Sequence, residues 1–211
     1  MAKFITHEFY GSTIKGVIPQ GWIDASTLRE VPDHQEIFLS ATTLSNQIIE
    51  INQRVDRDEA LSATRTQPLS TDSLPETIDK AAIMYHLHDL CDESDTLEVL
   101  VPAQKVPMQE IPKASAYRGV VALTATKMGQ HRREQREGQT QGQAALTTNC
   151  HYLLVRLEEQ ETDLLVFVNV PSEEFDARGD VRGLEEENKL AEGLIGELVV
   201  RLKVVDWGLF A

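Results

Sequence analysis

Cysteine is nearly absent from this chain: only Cys91 and Cys150 occur in 211 residues, with 58 residues between them and no CxxC pair. That gives no disulfide framework, and a reducing compartment fits best. Long hydrophobic runs are missing too. The longest, Val120–Ala125 and Leu164–Val168, are strand-sized and far below the ~20 residues that a membrane span needs. The opening stretch Met1–Glu8 lacks an apolar segment or an Arg-rich amphipathic pattern, so secretion and organelle import are not expected. Aromatic residues make up 6% of the chain and hydrophobic residues 41%, an ordinary globular composition. Positive charge is scarce, at 20 Lys+Arg against 34 Asp+Glu for a net −14. Such a field disfavours nucleic acid and anionic membrane and favours a basic protein partner.

Motifs of several enzyme classes are also missing. No G-x-x-x-x-G-K-[ST] or G-x-G-x-x-G opens a helix after a strand, and no G-x-S-x-G nucleophile elbow occurs. His86, His88, Asp89, Cys91 and Asp92 form the one local cluster of metal-ligand types. His86 and His88 are two apart and diverge on a helix, so they cannot share an ion; His88 with Cys91 or Asp92, three or four apart, could, but no fourth ligand is in view. A helix end at which histidines meet the last carbonyls explains them better. Cys150 and His151 are neighbours on a predicted strand and point to opposite faces, so they make no dyad. No metal, cofactor or catalytic residue is assigned.

The patterning that is present reads as α+β. Phe9–Ile18 reads as a strand with a glycine interruption, followed by a turn at Pro19-Gln20-Gly21-Trp22. One helical turn over Ser26–Arg29, capped by Asp24 or Ser26, is stopped by Val31-Pro32. Gln35–Leu39 and Gln47–Ile51 predict a hairpin, and Glu76–Leu90 predicts a helix from its apolar spacing. Leu97–Val106 is a strand that Pro102 confines to an edge. Ser115–Met128, His151–Glu159 and Asp163–Val170 follow as stronger strands, the last two forming a hairpin. Leu184, Ala191, Leu194, Ile195, Leu198 and Leu202 mark an amphipathic helix, with Gly193 and Gly196 placed to permit close approach to a sheet. Hairpins instead of βαβ crossovers argue an antiparallel sheet flanked by helices. One domain over residues 1–211 is expected, since a chain of this mass can bury about 70% of its unfolded surface in one core. Segments 56–75 and 129–148 read as flexible: the first is a polar surface linker, the second an Arg- and Gln-rich excursion at a hairpin tip. That second segment nets only +1, too little for a nucleic-acid patch.

The segment most suggestive of function is Phe9 to Phe38. A loop here is expected to present Asp33 and Glu36 beside Trp22 and Arg29, with Asp24, Glu30 and Gln35 close in sequence. Acids beside an exposed aromatic and an arginine suit a protein-binding hot spot. The charge runs at Glu158–Glu161, Ser172–Glu174 and Glu185–Glu187 are read as solvated faces.

The same segment resembles the Ran guanine nucleotide release factors of nuclear protein import. The resemblance is carried by Tyr10-Gly11, Pro19-x-Gly21-Trp22-Ile23-Asp24-Ala25-Ser26, Leu28-Arg29-Glu30-Val31-Pro32-Asp33-x-Gln35-Glu36-Ile37-Phe38 and Val204-Val205-Asp206-x-x-Leu209-Phe210. Weaker echoes are Tyr85-His86-Leu87-x-Asp89-Leu90 and Thr162-Asp163-Leu164-Leu165. Ser12 departs from it, standing where a second glycine is usual, and so does the expanded Gly129–Gln143 loop. The resemblance implies a three-layer α/β/α sandwich around a mostly antiparallel, about six-stranded sheet of PsbP-like topology. It also implies a monomer of nucleus and cytoplasm that binds Ran and promotes nucleotide release, with room for a second Ran-binding protein in the complex. The family's acidic residues fall on Asp33 and Glu36. Charge reversal at both is then expected to abolish binding while leaving thermal unfolding nearly unchanged. Two other classes compete: a hydrolase-type enzyme with a catalytic cleft, and a PsbP-like binding or structural module with another partner.

Overall fold

The computed structural model describes residues 3–63, 75–126 and 145–210. Strands β1 (Phe4–Phe9) and β2 (Ile14–Pro19) form an antiparallel hairpin in place of the single strand that patterning predicts over Phe9–Ile18. The chain reverses because Tyr10, Gly11 and Ser12 take φ of 48°, 63° and 76°, a left-handed run that no strand can hold. A short β3 (Ile23–Asp24) leads into a single 3₁₀ turn, Ala25–Thr27, capped by the Asp24 carboxylate as expected. Strands β4 (Gln35–Leu39) and β5 (Asn46–Gln53) form the anticipated hairpin.

Residues 56–75 are not simply a linker: helix α1 (Arg57–Ala63) occupies their first part, while 64–74 lie outside the described residues. The helix starts on a reciprocal cap, in which Asp56 Oδ1 accepts the Glu59 N–H at 2.8 Å and Glu59 Oε2 accepts the Asp56 N–H at 3.1 Å. Its anchor is Ala60, buried with Val55 against Ala81 and Ala82 of α2 (Pro75–Asp89). So small an apolar anchor leaves almost no periodic signal. Strands β6 (Thr96–Val106), β7 (Ser115–Thr126), β8 (Ala145–Leu157) and β9 (Thr162–Pro171) follow. Of the expected flexible segment 129–148, residues 145–148 belong to β8, which begins six residues before the predicted His151, and 129–144 lie outside the described residues. Helices α3 (Glu173–Asp176) and α4 (Val181–Arg201), strand β10 (Lys203–Val204) and a 3₁₀ turn over Trp207–Phe210 follow.

The strands divide into a seven-stranded sheet, in the order β3-β4-β5-β9-β8-β7-β6, and a three-stranded sheet, β1-β2-β10. Every pairing is antiparallel. The expected sheet of about six strands thus becomes seven, plus a second small sheet. Strand β6 lies at the edge, and its register shifts between Val101 and Gln104, around Pro102, where a residue without an N–H is tolerated. Alternation along β8 sends Leu153 and Val155 into a core with β2 and α4, and sends Cys150, Tyr152 and Leu154 into another with Ile83 and Leu87 of α2. Layers of helix therefore cover both faces of the large sheet, and the small sheet shares the α4 side. Of the two helix glycines, Gly193 does face the small sheet, with Phe4 of β1 lying 3.5 Å from where its Cβ would be, whereas nothing lies within 4 Å of one at Gly196; a tighter approach occurs at Gly16, where a Cβ would meet Phe9 at 2.9 Å and Leu198 and Leu202 at 3.1 Å.

Candidate protein-binding site

The β1–β2 turn, β3 and β4 form one acidic corner. Glu36 projects from β4 and is half-buried, and its Oε1 accepts the backbone N–H of Tyr10 at 2.5 Å. Burial raises the Glu36 carboxyl pKa, the Tyr10 hydrogen bond opposes this, and the nearby Asp24 carboxylate adds to the rise. The two acids are close because Asp24 pairs with Phe38, two residues along β4 from Glu36. Beside them His7 lies with its ring 5.0 Å from Phe9 and 4.8 Å from Phe38. Burial lowers the His7 pKa, partly offset by Asp24 and Glu8. The Tyr10 hydroxyl lies 2.9 Å from the carbonyls of both His34 and Ile49, which share its single hydrogen. This ties the turn to both strands of the β4–β5 hairpin, and burial raises the phenol's pKa strongly.

Asp33 stands at the other extreme: it is exposed in the turn before β4, and among the described residues no side-chain hydrogen bond or ion pair engages it. Arg29 and Glu30 are likewise exposed with free side chains. Gln35 is held by β5, its Nε2 donating to Glu50 Oε1 at 2.6 Å. Lys15, the nearest cation on β2, is committed to Glu8 at 2.8 Å. The corner therefore offers carboxylates with few competing cations.

Trp22 does not join this group. It is half-buried against the core, and it lines a cleft of about 380 Å³ with Lys3, Thr42 and Glu187. That cleft reaches the residues after Leu39, whereas Asp33 precedes Gln35, so the two lie a strand apart, about 17 Å along β4. The predicted loop carrying Asp33 and Glu36 beside an exposed Trp22 is corrected accordingly: Glu36 is a strand residue and Trp22 belongs to the opposite end. Sequence reasoning also missed His7 and Tyr10 as parts of the corner. Tyr10 had only its place in the Tyr10-Gly11 pair as a signal, and His7 had none.

A second polar cluster, wholly internal, was missed as well. Arg156 is 2% exposed and Asp163 0%. Arg156 donates from Nε to Asp163 at 3.0 Å, from Nη1 to Asp79 at 2.8 Å and from Nη2 to the Val55 carbonyl. Tyr117 donates to Asp79 at 3.0 Å, and Asp163 Oδ2 meets His86 Nε2 and the Val55 N–H, each at 3.0 Å. The cluster bolts α2 and the start of α1 to β7, β8 and β9. Its signal was available: Arg156 interrupts the apolar stretch Tyr152–Leu157, and Asp163 heads the apolar stretch Leu164–Val168. Among the described residues, no group of three His, Cys, Asp or Glu side chains is arranged to hold a metal ion.

Comparison with known proteins follows from this geometry. The family model described as Ran-interacting Mog1 protein matches residues 7–171, a span that contains the whole acidic corner. The chain belongs to this family. It is 29% identical over 209 residues to the nuclear import protein MOG1 of Saccharomyces cerevisiae, covering 97% of this chain and 84% of that protein. It is 27% identical over 163 residues to the Ran guanine nucleotide release factor of Homo sapiens, covering 77% and 73%. Among solved structures, the Saccharomyces cerevisiae Ran-binding protein Mog1p superposes over 100% of both chains with a TM-score of 0.59 at 22% identity. Cyanobacterial PsbP from Synechocystis matches with a TM-score of 0.50 at 11% identity, covering 93% of this chain and 92% of that one. These structural likenesses concern the fold, and the α+β, mostly antiparallel, PsbP-like architecture expected from the sequence is the one observed.

Proposed function

We propose that this Mog1-family protein binds the small GTPase Ran and promotes release of its guanine nucleotide, supporting protein import between cytoplasm and nucleus. It acts as a monomer, without catalytic chemistry of its own. The observation that carries the reading is the family match over residues 7–171, within which the corner presents Asp33 openly and holds Asp24 and Glu36 in fixed positions.

A GTPase retains nucleotide through Mg²⁺ and a lysine-bearing phosphate cradle. A partner that prefers the empty state lowers nucleotide affinity by the factor by which nucleotide lowers the partner's own. Asp33, like Glu30, has no side-chain partner among the described residues, so it can pair with a basic group of Ran without first breaking a contact. Glu36 contributes charge from a fixed position, with Asp24 beside it. Arg29, Glu30 and Gln35 flank them, and Trp22 stabilises the far end of the hairpin. The remaining acidic surface speeds encounter more than it adds affinity.

The test is to follow a fluorescent guanine nucleotide leaving purified Ran. The wild-type protein is expected to accelerate release, and Asp33→Lys to lose most of that acceleration while keeping its circular dichroism and melting curve. Release that is unaffected by saturating wild-type protein overturns the proposal.

A further inference from the structure

On the face opposite α2, a cleft of about 330 Å³ opens between α4 and the β6–β7 edge, well away from the acidic corner. Its floor and one wall are apolar, formed by Val120, Leu100, Val101 and Ile195. Leu100 and Val101 remain 45% and 38% exposed. Three polar features converge on it.

Arg118, on β7, is half-buried and lines the cleft with Gln104 beside it in register. Among the described residues no side-chain hydrogen bond or ion pair engages its guanidinium, in a chain where Lys15, Lys80, Arg178 and Arg201 all hold carboxylates. A half-buried guanidinium left unpaired in a molecule of net charge −14 is poised for an outside anion.

His151 is 93% buried, as its relative exposure of 7% states. Its Nε2 lies 3.0 Å from Asn188 Oδ1, which also accepts from Asn149 Nδ2 at 3.1 Å. Asn188 Nδ2 donates one of its hydrogens to the Leu184 carbonyl at 2.8 Å. The amide is thereby oriented oxygen-first, so His151 must donate from Nε2, and its unprotonated Nδ1 has no partner among the described residues. Burial holds the imidazole's pKa below the ordinary value, which keeps this acceptor available. Glu192, on α4, supplies a carboxylate to the same cleft without an ion pair to Arg118.

We propose that this cleft binds a zwitterionic metabolite, an α-amino acid with an apolar side chain. The carboxylate sits on Arg118, the ammonium group is accepted by Glu192 and His151 Nδ1, and the side chain lies on Val120, Leu100, Val101 and Ile195. Cation and anion lining one cleft without neutralising each other select a ligand that carries both charges, and the volume is at the small end of metabolite pockets, about 300–1,000 Å³. Neither the acidic corner nor Ran takes part.

Backbone-amide NMR of the full chain tests this, with leucine, methionine and phenylalanine as probes at millimolar concentration. At least one of them is expected to give saturable shifts centred on Arg118, Asn149, His151 and Glu192. For leucine, 4-methylpentanoate and 3-methylbutylamine, which lack the ammonium and the carboxylate respectively, should each bind at least about tenfold more weakly, since each forfeits a charge-assisted contact. Arg118→Met should abolish amino-acid binding, and Glu192→Gln, which leaves His151 Nδ1 as an acceptor, should reduce the preference for leucine over 4-methylpentanoate. Both residues are solvent-accessible and unpaired, so both variants should retain the wild-type melting curve. If one does not, the other carries the test. Absence of saturable shifts with all three amino acids, equal binding of 4-methylpentanoate by the wild type, or wild-type binding by a folded Arg118→Met each overturns the proposal.

Discussion

The internal cluster around Arg156 and the corner around Asp33 use the same residue types to opposite ends. In the cluster, Arg156, Asp79, Asp163, His86 and Tyr117 are buried, and they satisfy one another within 3.0 Å. In the corner, Asp33, Arg29 and Glu30 face water with no intramolecular partner among the described residues, while Glu36 is intermediate, committed through one hydrogen bond to Tyr10. Charge alone does not reveal what a residue does; its satisfaction inside the protein does. A saturated charge holds the fold, and an unsaturated one is available to a partner.

The contrast is most easily broken at Arg156. Replacing it with methionine leaves two buried carboxylates without their cation and should cost about 3–5 kcal/mol of stability, read from the urea midpoint. A loss near that of a surface substitution would mean that the cluster is not a structural bolt. Next comes Glu36→Ala, which strands the Tyr10 N–H and should cost about 1–3 kcal/mol. Glu36→Gln keeps an acceptor and should recover most of that stability while still weakening Ran binding. This modifies the expectation that reversing Asp33 and Glu36 together spares thermal unfolding: half of that pair is a structural contact.

Ser12 sharpens the comparison from the turn. Its φ of 76° suits glycine, so Ser12→Gly should stabilise by up to about 1 kcal/mol, less the loss of the exposed bond from its hydroxyl to Glu8 at 2.6 Å. The pH response is smaller still. Burial depresses the pKa of both His7 and His151 below 6.5. The unfolded chain then takes up protons first, and stability present above that value declines as pH falls through it. Urea midpoints compared between about pH 7.5 and 5.5 should show the decline, and His151→Asn should reduce it. The smallest stability effect belongs to Asp33→Lys, within about 0.5 kcal/mol of wild type, although its effect on nucleotide release should be the largest of the corner variants.

Much of this was legible along the chain. The β4–β5 and β8–β9 hairpins, α2, α4 and the Asp24 cap declare themselves through period and capping chemistry. The β1–β2 reversal did not, because Tyr10 and Ser12 are unusual residues in a left-handed turn. Helix α1 did not either, because its burial rests on one alanine. Within the corner, an acid at Asp33 just before β4 was legible in the sequence, but Glu36's bond to Tyr10 spans 26 residues and Trp22's separation from Asp33 depends on the β3–β4 register.

The sequence by itself determined most of the longer elements, the acidic balance and the family block, since each rests on local spacing or on a simple sum of charges. The tertiary structure alone decided which charges are spent. Whether Arg156, Glu36, Asp33 or Arg118 has a partner depends on contacts between distant strands and helices and on how much water those contacts exclude, and neither is written in any neighbouring residue.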